Sequence, residues 1–398
     1  VMGVSLHFLP RLTSTPISRS LWPNLILVCV SSGIILRTLV HSILPYIAGS
    51  AYFSFVNWLG VVSAVLEWLG IYIYLMLILC IVLLSSAQST RAFSGIRPFF
   101  AMQLAGWAFS AIINLGLLVH MASTNNVIVD TAWNQFKVEL FIGLVLLPVA
   151  FAFSVKTFPL YLRLRAVDWP VRSIAVIYFL AFCAQILPQS PLFIRTFSNT
   201  ATYITLFGTM IKAVTIIIFV WKLDVLTRLK PAWTVNRELQ PAPDRRPIRK
   251  GLPDYGEFGR FERLIYSAYF WLAVGALFEM FYAIAEILNF ALPHKFDLVR
   301  HFYLLGFITL LIFGMSVRMI PGFVKKKRIA STKLVNVTFW LGNIAVVFRV
   351  LPLVATFPAL SQYALLVQIA ENAFAWSGVI AMSAIACLAI NLWKTVKN

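Results

Sequence analysis

Residues 300–321 read RHFYLLGFITLLIFGMSVRMIP, and no formally charged residue lies between His301 and Arg318. An α-helix rises about 1.5 Å per residue, and the hydrocarbon core of a bilayer is about 30 Å thick. With its flanking residues, the stretch is therefore long enough to cross a membrane as one helix. Its basic side chains stand near the two ends, where water or lipid headgroups can reach them.

The whole chain shares this apolar character. Of its 398 residues, 60% are hydrophobic and 12% are charged, and its mean hydropathy is +0.86. Soluble domains carry about 25% charged residues, so the composition excludes a soluble globular protein. The apolar runs last roughly twenty residues or more, whereas membrane-barrel strands alternate over about ten. The sequence therefore predicts an all-α integral membrane protein.

Ten segments are apolar over a length that can span a bilayer. A shorter apolar stretch, residues 1–9, precedes Pro10 and Arg11 and is typical of the end of a further span. Because residue 1 is Val and the chain opens within this stretch, we expect the numbering to begin inside a longer protein. The ten predicted spans are 22–46, 55–86, 97–121, 133–159, 170–188, 201–225, 262–291, 297–320, 333–356 and 363–393.

The basic residues predict the orientation of these spans. With alternating crossings, 24 of the 33 Lys and Arg fall on one side of the membrane, and two, Arg195 and Lys295, fall on the other. Lys and Arg collect on the cytoplasmic side, so that side is predicted to hold the C-terminus and the basic, Pro-rich loop 226–260. The expected location is a bacterial cytoplasmic (inner) membrane.

The net charge of +19 does not point to nucleic acid. In loop 226–260, no aromatic residue interleaves Arg245, Arg246, Arg249 and Lys250 as base stacking would require. Anionic lipid headgroups are the expected partner of this loop, and the bilayer is the expected partner of the spans.

A short pattern recurs three times, each time at the cytoplasmic end of a predicted span. It has the form small-x-Ser-x-basic-x-x-Pro, and its prolines are 149 and then 162 residues apart, with four spans in each interval. Three matches at four constrained positions indicate an internal repeat. The copies contain Ser5, His7 and Pro10; Ser154, Lys156 and Pro159; and Ser316, Arg318 and Pro321.

Each repeat unit is predicted to hold four helices, A to D, with this signature at the end of helix B. The complete fold is expected to be a bundle of twelve helices in three pseudo-equivalent four-helix units. This chain would hold about ten full spans and a partial one. The units are predicted at 1–86, which is incomplete at its N-terminus, at 97–225 and at 262–398.

The basic residue of the signature has two interpretations. Proline stops a helix, and a cation three residues earlier can reach the negative end of the helix dipole and the headgroups. His7, Lys156 and Arg318 would then anchor helix ends. Alternatively, they line a charged channel or a proton path.

Histidine is scarce, and most of it is predicted in the non-cytoplasmic half. A buried imidazole in a bilayer needs a hydrogen-bond partner or a metal. The best placed is His301, twenty residues before Pro321, and the residue at the same distance before Pro159 is Glu139. The weaker metal-binding candidates are His41, His120 and His294.

The threefold array, with functional residues on every second helix, resembles subunit I of the haem-copper oxidases. More closely, it resembles the NnrS family, twelve-span bacterial membrane proteins associated with haem, copper and nitric-oxide stress. The resemblance is carried by the segments 138–163, 264–281 and 300–321.

The resemblance implies a haem ligand but no oxidase site. His301 would be an axial ligand of a haem b, with a second His expected upstream of Val1. The oxidases place copper-binding His on helices B and C of unit two, where this chain has Glu139 and no His in 170–188. This departure argues against an oxidase-type enzyme. The run Lys325–Arg328 stands where the NnrS pattern has polar and sometimes His-bearing residues, which argues against copper.

Several ionisable residues are predicted within spans. An unpaired charge at the bilayer centre costs about 2.5–3.5 kcal/mol, so each needs a partner or a role. Glu279 and Glu286 share one helix face and could meet Lys212 or Arg349. Interhelical contact, a proton relay and a transport site are the alternatives. These residues are Glu67, Glu139, Lys212, Glu279, Glu286, Arg349 and Glu371.

Three functions follow from these observations. The first is an NnrS-type haem-binding protein that handles nitric oxide or transfers electrons. The second is a non-catalytic accessory subunit of a larger membrane respiratory complex, which keeps the oxidase-like fold without its dinuclear site. The third, a proton-coupled transporter, is disfavoured because the sequence contains no inverted repeat or pair of broken helices.

Overall fold

The computed structural model describes residues 2, 3, 5, 6 and 10, and then 21–83, 95–194, 198–227 and 256–397. Within these residues the chain is helical and has no β-strand. It is an all-α bundle of long apolar helices, so the fold class predicted from composition is confirmed. His7 and residues 228–255 of the basic loop lie outside the described residues.

Ten helices of at least 16 residues, α1 to α10, lie in the described ranges, and all except α5 are long and apolar enough to cross a bilayer. Their bounds are α1 Leu21–Ile43, α2 Phe53–Leu83, α3 Arg97–Ser123, α4 Thr131–Tyr161, α5 Val171–Ile186, α6 Ser198–Leu223, α7 Phe261–Ile287, α8 Lys295–Phe323, α9 Thr332–Ala355 and α10 Ala364–Lys397.

Helix α5 corrects the span predicted at 170–188. It has 16 residues, which corresponds to about 24 Å of helix, less than the roughly 30 Å of a hydrocarbon core. Pro170 precedes its first residue, and after Ile186 the chain turns, with Gln189 N donating to Ile186 O. Prolines 170 and 188 thus bound the helix more tightly than its apolar run suggests.

The helices form two compact units. The first takes in Val1–Ala152 and Pro170–Gly208, and the second takes in Phe153–Trp169 and Thr209–Asn398. In the first unit, α1 packs along α2, α2 along α3, and α3 against α4. In the second unit, α7 packs against α8 and α9 along α10. The threefold repeat stays a prediction.

Helices α4 and α8 share a backbone irregularity at matching positions. Each widens into π-helical turns, at Phe141–Leu146 in α4 and at Phe302–Thr309 in α8. The two π segments begin 18 and 19 residues before Pro159 and Pro321. The two helices that carry the described signatures are therefore alike in backbone as well as in sequence, which supports their correspondence as B helices.

Side chains satisfy carbonyl groups in both π segments. In α4, Pro148 follows the segment and has no N–H to donate, and the Gly143 carbonyl accepts a hydrogen bond from Tyr178 Oη of α5 at 2.8 Å. In α8, Thr309 Oγ1 donates to the Leu304 carbonyl at 2.9 Å. Such π turns occur frequently at functional sites, which directs attention to the polar residues near them.

Candidate functional site

Lys212, Glu279 and Tyr303, on α6, α7 and α8, form a buried group that we call the closed cluster. Lys212 Nζ lies 2.6 Å from Glu279 Oε1, and the two side chains are 3% and 5% exposed. Tyr303 Oη donates to Glu279 Oε2 at 2.9 Å. Both carboxylate oxygens are thus engaged, and the two opposite charges balance. The arrangement fits a buried, hydrogen-bonded ion pair that ties three helices together.

A second group, the open cluster, consists of Arg37, Glu67, Asn114 and Lys137 on α1 to α4. Arg37 and Glu67 form an ion pair whose side chains are 24% and 13% exposed. Arg37 Nη1 and Lys137 Nζ both donate to Asn114 Oδ1, at 3.0 and 3.1 Å. This cluster therefore contains two cations, one carboxylate and one amide, and it is more accessible than the closed cluster.

His301 uses both ring nitrogens in hydrogen bonds. Its Nδ1 lies 2.5 Å from the Asp297 carbonyl oxygen, and its Nε2 lies 3.0 Å from Arg349 Nε of α9. An Arg N–H is always a donor, so Nε2 is the acceptor and Nδ1 carries the proton. The Arg349 guanidinium is also 4.3 Å from the centre of the Phe374 ring on α10. His301 thus joins α8 to α9.

The placement of His301 does not fit an axial haem ligand. A bond from Nδ1–H to a carbonyl is usual for a ligating His, but the iron would need the Nε2 lone pair. That lone pair accepts from Arg349, and a fixed cation at this nitrogen opposes a metal cation there. The axial role that the family resemblance implies would require Arg349 to leave His301.

The other candidate His do not converge with His301. His41 is half-buried on α1, where the charges of Arg37 and Lys137 act on it. His120 is exposed in the last turn of α3. His294 is exposed and adopts a left-handed backbone with φ of 57° just before α8. In the described part of the chain, no group of three or more His, Cys, Asp or Glu could hold a metal ion.

Two of the signature residues, Ser154 and Arg318, make side-chain contacts with aromatic residues. Tyr269 Oη of α7 donates to Ser154 Oγ at 2.6 Å. Arg318 lies 5.0 Å from the centre of the Tyr161 ring and 4.2 Å from that of Phe258, so its cation is held by aromatic faces. Ser5 is buried, and Lys156 and Ser316 are half-buried. In the first copy of the signature Pro10 is helical, and His7 lies outside the described residues.

The signature prolines lie inside the last helical turn. Pro159 precedes the end of α4 at Tyr161 by two residues, and Pro321 precedes the end of α8 at Phe323 by two. The predicted spans end at Pro159 and one residue before Pro321, so the two helices extend two and three residues further than predicted. The difference arises because proline removes an N–H donor while its own carbonyl and φ angle remain compatible with one more turn.

The other ionisable residues predicted within spans, Glu286, Glu139 and Glu371, do not belong to either cluster. Glu286 pairs with Lys295, with Oε2 to Nζ at 2.8 Å, and not with Lys212 or Arg349. Glu139 is half-buried on α4. Glu371 is exposed on α10, next to the exposed Asn372.

Asn114 and Tyr303 belong to the two clusters but were missed in the sequence. Each lies within a long apolar helix, Asn114 in α3 and Tyr303 in α8. An amide inside an apolar span is a signal comparable to a charge, because it too needs partners in the bilayer. Tyr303 gives no such signal, because tyrosine also packs as an ordinary apolar residue.

No protein-family model and no curated protein sequence matches the chain. The resemblance to NnrS proteins and oxidases therefore stays a prediction.

Proposed function

We propose that the chain is a non-catalytic accessory subunit of a larger membrane assembly, which keeps an oxidase-like helical bundle without an oxidase-type dinuclear site. The observation that supports this is a polar face on the apolar helix α10. Gln368, Glu371 and Asn372 lie on consecutive turns or adjacent positions, and all three are exposed. Glu371 makes no hydrogen bond or ion pair that the described residues supply.

The depth of Glu371 makes this exposure costly. Near the other end of α10, Asn391 Nδ2 donates to the Ser331 carbonyl at the start of α9, at 2.8 Å. Glu371 lies twenty residues from Asn391, or about 30 Å along the helix, whereas α9 runs about 36 Å from Ser331 to its end. The carboxylate is therefore about one turn inside the level at which α9 ends. A neighbouring helix with a donor or cation would compensate it better than lipid.

The contacts of His301 favour this function over NnrS-type haem chemistry. The residue that would bind haem b for nitric-oxide handling or electron transfer is here a contact between α8 and α9. We place the assembly in a bacterial cytoplasmic membrane, with the C-terminus and the loop 226–260 on the cytoplasmic side. The support for this orientation is the uneven distribution of Lys and Arg.

The first test is haem content. The protein is expressed with added haem precursor and purified in detergent, and a pyridine haemochrome assay and a reduced-minus-oxidised spectrum are recorded. We expect far less than one haem per folded chain, because Arg349 occupies Nε2 of His301. One haem per chain, with a spectrum that changes in His301→Ala but not in the exposed-residue control His120→Ala, would establish the haem-binding alternative.

The second test is the partner contact of Glu371. Native membranes are solubilised in digitonin, and the size of the complex that contains the chain is measured by native electrophoresis. We expect Glu371→Leu to release the chain to a smaller species, because a buried partner loses its acceptor. The control Glu286→Gln, which changes a carboxylate already paired with Lys295, should leave the complex intact. A parent chain that migrates alone would refute the accessory role.

A further inference from the structure

The two clusters occupy corresponding helices of the predicted repeat but differ in charge. Each takes one residue from a D helix, one from the following A helix and one from the following B helix. The closed cluster holds one cation and one carboxylate, both nearly inaccessible. In the open cluster, α1 adds a fourth residue and a second cation. On these D, A and B helices the residues are Lys212, Glu279 and Tyr303 in the closed cluster and Glu67, Asn114 and Lys137 in the open cluster.

The open cluster carries an excess positive charge. Arg37 and Lys137 are cations, and Glu67 is the carboxylate that pairs with Arg37. Arg37 and Lys137 share one further acceptor, the neutral amide oxygen of Asn114. The closed cluster places the carboxylate Glu279 on the A helix, where the open cluster has Asn114. Among the described groups that face this cluster, one positive charge is therefore left without a counter-charge, and the nearby His41 adds no negative charge.

The donors of the open cluster are not all used. Among the described residues, the buried Nε–H of Arg37 has no hydrogen-bond acceptor. Lys137 Nζ has three N–H groups, of which one donates to Asn114. The buried Glu67 Oε1 also has no hydrogen-bond partner among the described residues, but the charge of this carboxylate is already paired with Arg37. Arg and Lys side chains that share one acceptor and have spare N–H groups are the usual elements of an oxyanion site.

The open cluster also lies where an anion can enter. Arg37 is six residues before the end of α1, and Lys137 is six residues after the start of α4, each about 9 Å along its helix. Asn57 Nδ2 of α2 donates to the Asn126 carbonyl in the loop between α3 and α4, so these helix ends lie on one side. The site is thus within the apolar layer but close to its edge, and Arg37 is 24% exposed.

We propose that the open cluster binds one singly charged oxyanion between Arg37 and Lys137. The oxyanion neutralises the excess charge and accepts from Arg37 Nε and from the free N–H groups of Lys137. Two sources supply this chemistry, a small free oxyanion from water or the phosphodiester of an anionic phospholipid. The closed cluster, which is neutral and sealed, binds no anion.

The test uses the purified full chain in a neutral detergent. The midpoint of thermal unfolding is followed by tryptophan fluorescence in sodium formate and in sodium gluconate at equal ionic strength. Formate is small enough to enter, whereas gluconate is a bulky, hydroxylated carboxylate. Because a ligand that binds the folded state stabilises it, we expect a midpoint several degrees higher in formate. Native mass spectrometry of the same preparation measures retained phosphatidylglycerol.

Two variants and one control identify the site. Lys137→Met makes the cluster neutral and should abolish the formate-dependent rise and any retained phosphatidylglycerol. Glu67→Gln removes the carboxylate and should enlarge the rise, so the proposal can be judged even if Lys137→Met folds poorly. The control Lys156→Met removes a lysine from the same helix, α4, far from the cluster and should behave as the parent does.

The possible outcomes distinguish a free oxyanion from a lipid phosphodiester, and both from an empty open cluster. A formate-dependent rise without bound lipid indicates a free oxyanion. Phosphatidylglycerol that is retained by the parent and by Lys156→Met but lost in Lys137→Met indicates a lipid phosphodiester. Equal midpoints in formate and gluconate with no retained lipid, or a rise that persists unchanged in Lys137→Met, would overturn the proposal.

Discussion

Glu279→Leu is expected to destabilise the protein by about 3–5 kcal/mol, because it leaves the Lys212 ammonium buried without its counter-charge. Lys212 is 3% exposed, so water cannot replace the lost carboxylate without opening the bundle. Tyr303 also loses the acceptor of its hydroxyl group. The loss should appear as a large fall in the thermal unfolding midpoint and in the yield of monodisperse protein in detergent.

Removing all three polar side chains of the closed cluster together should reduce the stability far less than Glu279→Leu alone. Replacing a buried ion pair by apolar residues of similar volume is often neutral, and is stabilising by about 1–4 kcal/mol in favourable cases. The triple variant Lys212→Met, Glu279→Leu, Tyr303→Phe should therefore recover most of the stability lost in Glu279→Leu. Simple addition of the single effects would show that the three residues do not act as one unit.

The stability of the triple variant also tests whether the closed cluster is part of a proton relay. A relay needs a carboxyl group that can release and regain a proton along a connected path. In the closed cluster both Glu279 oxygens are already engaged, by an ammonium and by a hydroxyl group. Recovery of the triple variant would assign the cluster to helix association, whereas a triple variant that folds but loses a measured proton flux would assign it to a relay.

The sequence was sufficient to predict the fold class because one property, the length of an apolar run, decides whether a helix can span a bilayer. A span needs an apolar run of a certain length, and this property can be counted directly along the chain. The same count overestimated α5, since its ends are set by Pro170 and by the turn after Ile186, which apolar content does not reveal. The π segments were also invisible, because they depend on contacts such as the hydrogen bond from Tyr178 to Gly143.

Candidate site residues were harder to predict than spans. The sequence singled out Lys212 and Glu279, because any charge in an apolar run is conspicuous, and the structure joins the two in one ion pair. It could not show that His301 faces Arg349, since their pairing depends on how α8 and α9 pack. Residue type suggests that a partner is needed, but only the packing of the helices identifies that partner.

The other large expected effect is at Gly208, where α6 crosses α5. A Cβ atom at residue 208 would lie 2.5 Å from Gln185 N, 2.7 Å from the Ala184 carbonyl carbon and 2.8 Å from Ala181 O. These are backbone atoms of α5, which cannot turn aside as a flexible side chain can. Small residues at helix crossings of this kind allow backbones to approach closely in membranes.

Gly208→Ala is therefore expected to destabilise the protein by about 1–3 kcal/mol, and Gly208→Val by more, since overpacking forces the two helices apart. Helix α5 is short, so its position depends on this contact more than that of a full span would. The matched control is Gly116→Ala in α3, where a Cβ atom meets nothing within 4 Å. There the gain in helix propensity should leave stability unchanged or raise it by up to about 1 kcal/mol. Thermal unfolding in detergent compares the two variants directly, and equal midpoints would contradict the close approach of α5 and α6.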